Sequence, residues 1–257
     1  MRWILKIKTE KEIFLAFLGA GVAFSVLIFA GIMLLKGRSG DETAETHEKV
    51  QLWEGGPYWA TKNIGAEKPE DSGYYFWWGD TVGYKCSKFS LIVNNIFVAS
   101  DWSNLIFSFL GDNVPTFRKS ISILQSEGWI MSYGVLVPKH DAAQAHWGGD
   151  WRMPTRDELN ALKNNCDWTW TTLNGVKGYI IKGRGAYASN SIFLPCAGSG
   201  YGTSLDGSGL FGVYWSSVPG SNSYDAYVLL FDSGYHYTDS YGRFNGLSVR
   251  PVLGFTK

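Results

Sequence analysis

Residues 147–159 read WGGDWRMPTRDEL, and this stretch leaves the chain little local freedom. Gly148, Gly149 and Asp150 predict a turn between Trp147 and Trp151. Arg152-Met153-Pro154 then leads into Thr155-Arg156-Asp157-Glu158, a capping box in which Thr155 accepts from the Glu158 N–H and Glu158 reaches back to the Thr155 N–H. Leu159, Leu162 and Cys166 follow at helical spacing, with Ala161 beside them. A turn locked by two tryptophans therefore hands over to a short capped helix of about three turns. The stretch dictates structure and carries no chemistry of its own.

Around it the composition is that of a turn-rich fold fixed by large rings, not of a helical bundle: 31 Gly and 12 Trp in 257 residues, 16% aromatic. The 23 basic and 23 acidic residues balance, and no basic face points to nucleic acid. Cys86, Cys166 and Cys196 follow no metal-ligand spacing, and an odd count excludes a complete disulfide framework. Cys166 and Cys196 are either a pair or two buried thiols.

Residues 13–35 run without a charge. As a helix they would extend about 35 Å, enough to cross a bilayer core of about 30 Å. The run is longer than a signal-peptide core and ends without a small-x-small site. It reads as a retained transmembrane anchor, with residues 1–12 as a cytoplasmic basic flank. The expectation is thus a single-pass membrane protein whose C-terminal domain lies outside the cytoplasm. Residues 36–50 read as a flexible polar tether with His47 in solvent. Residues 51–253 read as one domain, with 84–137 as an insertion.

Within that domain, residues 52–66 give a strand-turn-strand signal, and 67–73 a charged loop. Tyr74-Tyr75-Phe76-Trp77-Trp78 is either a sugar-stacking platform or core. Core is favoured, because consecutive strand positions alternate faces. A short helix is expected between Thr116 and Glu127, short strands at 129–131 and 135–137, and a helical turn over 141–146. Strands are expected at 167–171, at 178–182 after an Asn174-Gly175 hairpin turn, at 191–196 and at 213–217. A long Gly/Ser loop is expected at 197–209. Over 224–232, Tyr224, Ala226, Val228 and Leu230 alternate with Asp225, Tyr227, Leu229 and Phe231. Residues 246–252 close the domain as a strand.

Seven segments occur in order: WATKNIGA, GYYFWWGD, WGGDWRMPT, CDWTWTTLNGVKGY, NSIFLPCAG, YWSS and GLSVRPV. Together they resemble the Fibrobacter succinogenes major paralogous domain, itself similar to the C-type-lectin-like and sulfatase-modifying-factor-like fold group. The resemblance covers roughly residues 50–253. It implies an α+β, C-type-lectin-like domain with a twisted antiparallel sheet, few short helices and long ordered loops, extracytoplasmic and without an assigned activity. The cysteine pair of the oxidising sulfatase-modifying enzymes has no counterpart after Cys196, and the calcium motifs of sugar-binding lectins are absent, so the resemblance supplies fold and not mechanism.

No catalytic set stands out. The four histidines His47, His140, His146 and His236 are scattered, no G-x-S-x-G elbow occurs, and Asp206-Gly207-Ser208-Gly209 lacks the later acidic ligand of a calcium loop. No enzyme, cofactor or metal is expected. The candidate ligand-binding residues are Asn222, Tyr224, Asp225, Tyr235, His236, Tyr237, Asp239, Tyr241, Arg243 and Asn245, a Tyr/Ser/Gly/Asn mixture of the kind adaptable binding surfaces use. Arg250 reads as structural, paired with an acid such as Asp150. The expected function is recognition of a glycan or protein ligand outside the cytoplasm, with membrane contact through residues 13–35 and no nucleic acid. The alternatives are a structural cell-envelope interaction protein without a small ligand and, less favoured, an enzyme of the sulfatase-modifying-factor type.

Overall fold

A computed structural model describes residues 47–93, 96–103, 114–202 and 204–254. In chain order they form β1 (Lys49–Gln51), β2 (Tyr58–Ala60), β3 (Tyr75–Phe76), β4 (Lys85–Val93), β5 (Ile96–Ser103), α1 (Ile121–Ser126), α2 (Ala142–Trp147), β6 (Trp151–Arg152) and α3 (Arg156–Asn165). There follow β7 (Asp167–Leu173), β8 (Val176–Lys182), β9 (Ser191–Pro195), β10 (Ser199–Tyr201), β11 (Ser204–Asp206), β12 (Gly212–Pro219), β13 (Asp225–Phe231), β14 (His236–Gly242), β15 (Leu247–Ser248) and β16 (Val252–Leu253).

The strands build four sheets, ordered β1-β2-β16-β6, β10-β11-β5-β4, β14-β13-β12-β15-β3 and β7-β8-β9. The five-stranded sheet positions everything else. Its inner strands are covered on both faces, so two hydrophobic clusters lie on opposite sides of it. Tyr214, Leu229 and Phe231 enter one, with Leu159, Leu162, Tyr179 and Ile181. Val213, Trp215, Ala226 and Val228 enter the other, with Phe76, Trp78, Leu124 and Met153. This is the alternation expected over 224–232, with each set of positions on its own face. The run 74–78 is core as favoured: Tyr75, Phe76, Trp77 and Trp78 are buried. Two tryptophans lock β3 to β12, since Trp78 Nε1 donates to the Ser216 carbonyl (2.9 Å) and Trp215 Nε1 to that of Phe76 (2.7 Å).

Two expectations are corrected. The α+β, lectin-like class gives way to a mostly β-sheet structure with few helices. The described helices span six, six and ten residues, because helical spacing persists only after the capping box while period-two alternation and turn residues govern the remainder. The single-pass membrane placement, with an extracytoplasmic C-terminal domain, is not supported either. No helix among the described residues is long and apolar enough to cross a membrane, and a span needs about 20 apolar residues. The segment 13–35 lies outside the described residues.

Smaller differences have local causes. The tether read over 36–50 gives way to ordered structure at its end, where His47 stacks on Trp147 at 3.7 Å and Lys49–Gln51 pairs with β2. The strands expected at 129–131 and 135–137 reduce to one bridge, Ile130↔Leu136. The loop expected at 197–209 contains the β10–β11 hairpin. Cys166 and Cys196 are buried free thiols, and burial pushes both up to about 12.

Candidate functional site

The ten residues singled out between 222 and 245 do not form one site. β13 and β14 are a hairpin, and Tyr224 lies at its open end while Tyr235 lies at its tip, roughly 25 Å away at the rise of a strand. At the tip, Asp232 Oδ1 accepts from the N–H groups of Gly234 and Tyr235, leaving the Tyr235 ring exposed. Tyr237 and Asp239 are exposed along β14. His236 is stacked on Trp168 at 4.4 Å, and burial lowers its pKa, with Lys163 adding to the effect. Tyr241 reaches the Ser199 hydroxyl at 3.4 Å.

At the open end, Asn222 Oδ1 accepts from the N–H groups of Tyr224 and Asp225, and its amide donates to the Asp225 carboxylate (2.6 Å). The Tyr224 ring meets the edge of Phe117. Arg243 and Asn245 are buried. The Arg243 guanidinium lies over the Trp78 ring and donates to the carbonyls of Thr116, Lys119, Asn222, Ser223 and Asp225. It is a clamp on two loops, and burial lowers its pKa to about 10. Arg250 is structural as read, but its partners are Asn63 Oδ1 and the carbonyls of Ala60, Thr61 and Phe193. Asp150 is exposed.

A concave site among the described residues lies elsewhere, at the stretch 147–159. The capping box forms as expected: Glu158 N–H donates to Thr155 Oγ1 (3.2 Å) and Thr155 N–H to Glu158 Oε2 (2.9 Å). Glu158 also holds Arg152 in a two-pronged ion pair, Nη1 to Oε2 at 2.7 Å and Nη2 to Oε1 at 2.6 Å. Bidentate geometry of this kind fixes both side chains. Asp141 caps α2 by accepting from Ala143 and Gln144 N–H, and the same carboxylate accepts from Met153 N–H at 2.9 Å. One carboxylate therefore ties α2 to the segment leading into α3.

Between this frame and residues 131–138 opens a cleft of about 560 Å³. Its apolar lining comes from Met131, Val135, Leu136, Pro138, Met153 and Val218. Leu136, Met153 and Asp141 are buried at its base, whereas Tyr133, Asp150, Arg156 and Asp157 are exposed at its rim. The Arg156 guanidinium stacks over the Tyr227 ring at 4.1 Å and keeps its charge at the rim beside the carboxylates of Asp150 and Asp157. Burial pushes Asp141 up to about 6, against the hydrogen bonds from Met153, Gln144 and Ala143 that favour its ionised form.

Neither histidine nor cysteine lines the cleft, and no cluster of three or more His, Cys, Asp or Glu that could hold a metal ion occurs among the described residues. Comparison with family models, with curated proteins and with solved structures yields no match. Sequence reasoning found the frame of the cleft but not the cleft. Met131, Tyr133 and Val218 stand in three separate segments without a shared motif, and only the fold brings them opposite the capping box.

Proposed function

We propose that the protein is a non-catalytic recognition module that binds a segment of another protein, an apolar side chain seated in the cleft and a neighbouring basic residue against Asp150 and Asp157. The observation that carries this reading is the cleft itself, apolar within and bearing the carboxylates of Asp150 and Asp157 at its rim. Concave, mostly apolar sites with a few converging polar groups are where ligands bind, and opposite charge at a rim sets partner choice and approach. The frame is held by the Arg152–Glu158 pair and the Asp141 cap, so little ordering is required on binding.

The test is selection of peptides from a random display library against the full chain, followed by fluorescence polarisation with a selected peptide. Selected sequences should join a large apolar residue to Lys or Arg. Val218→Arg, which fills the cleft, and Asp150→Lys, which reverses the rim, should each weaken binding by about tenfold or more. Tyr224→Ala and Tyr235→Ala should leave it unchanged. Peptides, or glycans on an array, that bind wild type and Val218→Arg equally well would place recognition outside the cleft and end this reading.

A further inference from the structure

β14 ends the five-stranded sheet, and no strand pairs with its outer side among the described residues. Two hydrogen bonds fix which peptide groups face outward. Asp232 N–H donates to the Tyr235 carbonyl (3.0 Å) and Arg243 N–H to that of Tyr224 (2.9 Å). In an antiparallel ladder, bonded and non-bonded pairs alternate, so residues 235, 237, 239, 241 and 243 turn their peptide groups toward β13. His236, Thr238, Ser240 and Gly242 turn theirs away from it. The Gly242 carbonyl is taken by Asn245, and the Ser240 N–H by the Asp239 side chain. Among the described residues, both peptide groups of His236 and Thr238 are left open.

Proteins protect such edges with lysine, proline, bulges or covering loops. The strand HYTDSYG contains neither lysine nor proline and a single carboxylate, Asp239, and its register against β13 runs unbroken from Asp225↔Gly242 to Phe231↔His236. We propose that two copies of this chain pair antiparallel along β14, about a two-fold axis at Thr238, so that their five-stranded sheets become continuous.

Side chains select this register. With Thr238 opposite its own copy, Tyr237 faces the partner copy's Asp239, twice by symmetry, and the outward peptide groups of His236 meet those of Ser240. The Tyr237 hydroxyl can donate to the carboxylate opposite it, while each Thr238 hydroxyl keeps its bond to Asn160 Oδ1 (2.8 Å). Moving the axis to Asp239 sets two carboxylates directly opposite, which is destabilising. Moving it to Tyr237 shortens the overlap by pushing Ser240 against the hairpin tip. The Asp239 carboxylate that covers the Ser240 N–H in the single chain would swing to the partner's Tyr237 as that N–H enters the new ladder. α3 packs against β12, β13 and β14. Its Asn160 side chain accepts from the Thr238 hydroxyl at 2.8 Å, so the two copies of α3 would approach each other across the axis on one face of the joined sheet.

The test uses the full chain in a Cys86→Ser background. Sedimentation equilibrium should give a dimer at micromolar concentration, and Thr238→Pro, which removes the amide at the axis, should raise its dissociation constant by about tenfold or more with an unchanged circular dichroism spectrum. Should that variant fail to fold, cysteine pairing decides. A Tyr237→Cys chain mixed with an Asp239→Cys chain should form a disulfide-linked dimer under mild oxidation, since facing residues there lie within disulfide reach, while either chain alone should not. A monomer at all concentrations, a monomer that takes up an extended peptide instead, self-linking of either single variant, or a mixture that does not link would each overturn the proposal.

Discussion

Arg243 is fully buried, and every hydrogen bond of its guanidinium ends on a main-chain carbonyl. The carbonyls belong to residues 116–119 and 222–225, so one planar fork of donors ties two loops to each other. Lysine keeps the charge but offers a single point of attachment. Arg243→Lys should therefore destabilise by about 2–4 kcal/mol, because several buried carbonyls lose a charged donor at once. A urea titration placing the variant within about 0.5 kcal/mol of wild type would remove Arg243 from this role. Arg250 shows where sequence reading stops at this scale. Its structural role was expected, but its partners are the Asn63 side chain and the carbonyls of Ala60, Thr61 and Phe193, which carry no signature in the order of residues. Asp141 lends itself to a pH measurement. Its carboxyl titrates near 3.8 when exposed and near 6 in the fold. Between those values the folded state binds more protons than the unfolded, so this group's contribution to stability falls as pH rises from 4 to 6 and returns on acidification. The whole shift corresponds to about 3 kcal/mol. Asp141→Asn cannot titrate. The unfolding free energies of wild type and variant should therefore move relative to each other by about that amount between pH 4 and 7, wild type gaining on the acid side. A carboxyl resonance of Asp141 that titrates near 4 in the folded protein would refute this.

α3 shows what a short-range signal can specify. Its N-terminus was readable because a capping box is a four-residue code, and its apolar positions 159 and 162 are buried as their spacing required. The β7–β8 hairpin was readable for the same reason. Asn174 and Gly175 adopt φ of 49° and 87°, the left-handed pair a two-residue hairpin turn requires. The β10–β11 hairpin was not readable. Its Gly/Ser-rich strands lack apolar alternation, and β11 takes its place by pairing with β5, a strand about a hundred residues earlier. The cleft falls between these cases, since one wall is written in residues 147–159 and the other depends on where the fold carries residues 131–138. The α3 cap also separates two contributions. Thr155→Ala removes one capping acceptor and should cost about 1 kcal/mol. Glu158→Ala removes the cap's second half and takes the carboxylate of its ion pair from the Arg152 guanidinium, whose side chain is 13% exposed and which keeps the Met153 and Gly254 carbonyls, so it should cost about 3 kcal/mol. Thermal melts of the two variants should differ in that order, and equal losses would show that the ion pair adds nothing to the cap.

Across the molecule, the two ends of the described fold meet in one small sheet. β2 pairs with β1 on one side and with β16 on the other, and β16 pairs in turn with β6. Val252 faces Trp59 across one ladder and Arg152 across the other. The last strand therefore joins the beginning of the domain to the stretch that frames the cleft. Just before it, Arg250 links residues 60–63 to β9 through Asn63, Ala60, Thr61 and Phe193. Contacts so distant in sequence form late and all together, which makes the fold's cooperativity hang on its final few residues. Ending the chain at Ser248 would delete Val249, Arg250 and β16. It would leave β2, with its buried Trp59, and β6 without their shared neighbour strand and the Tyr214 hydroxyl without the adjacent guanidinium. Such a chain should keep strand signal in the far ultraviolet but lose its near-ultraviolet aromatic spectrum and its cooperative thermal transition, the marks of lost tertiary packing. A sharp melt within a few degrees of the intact chain would show that the five-stranded sheet and its two clusters close without the terminal strand. The cleft, one wall of which hangs from β6, would then have to be held by α3 and α2 alone.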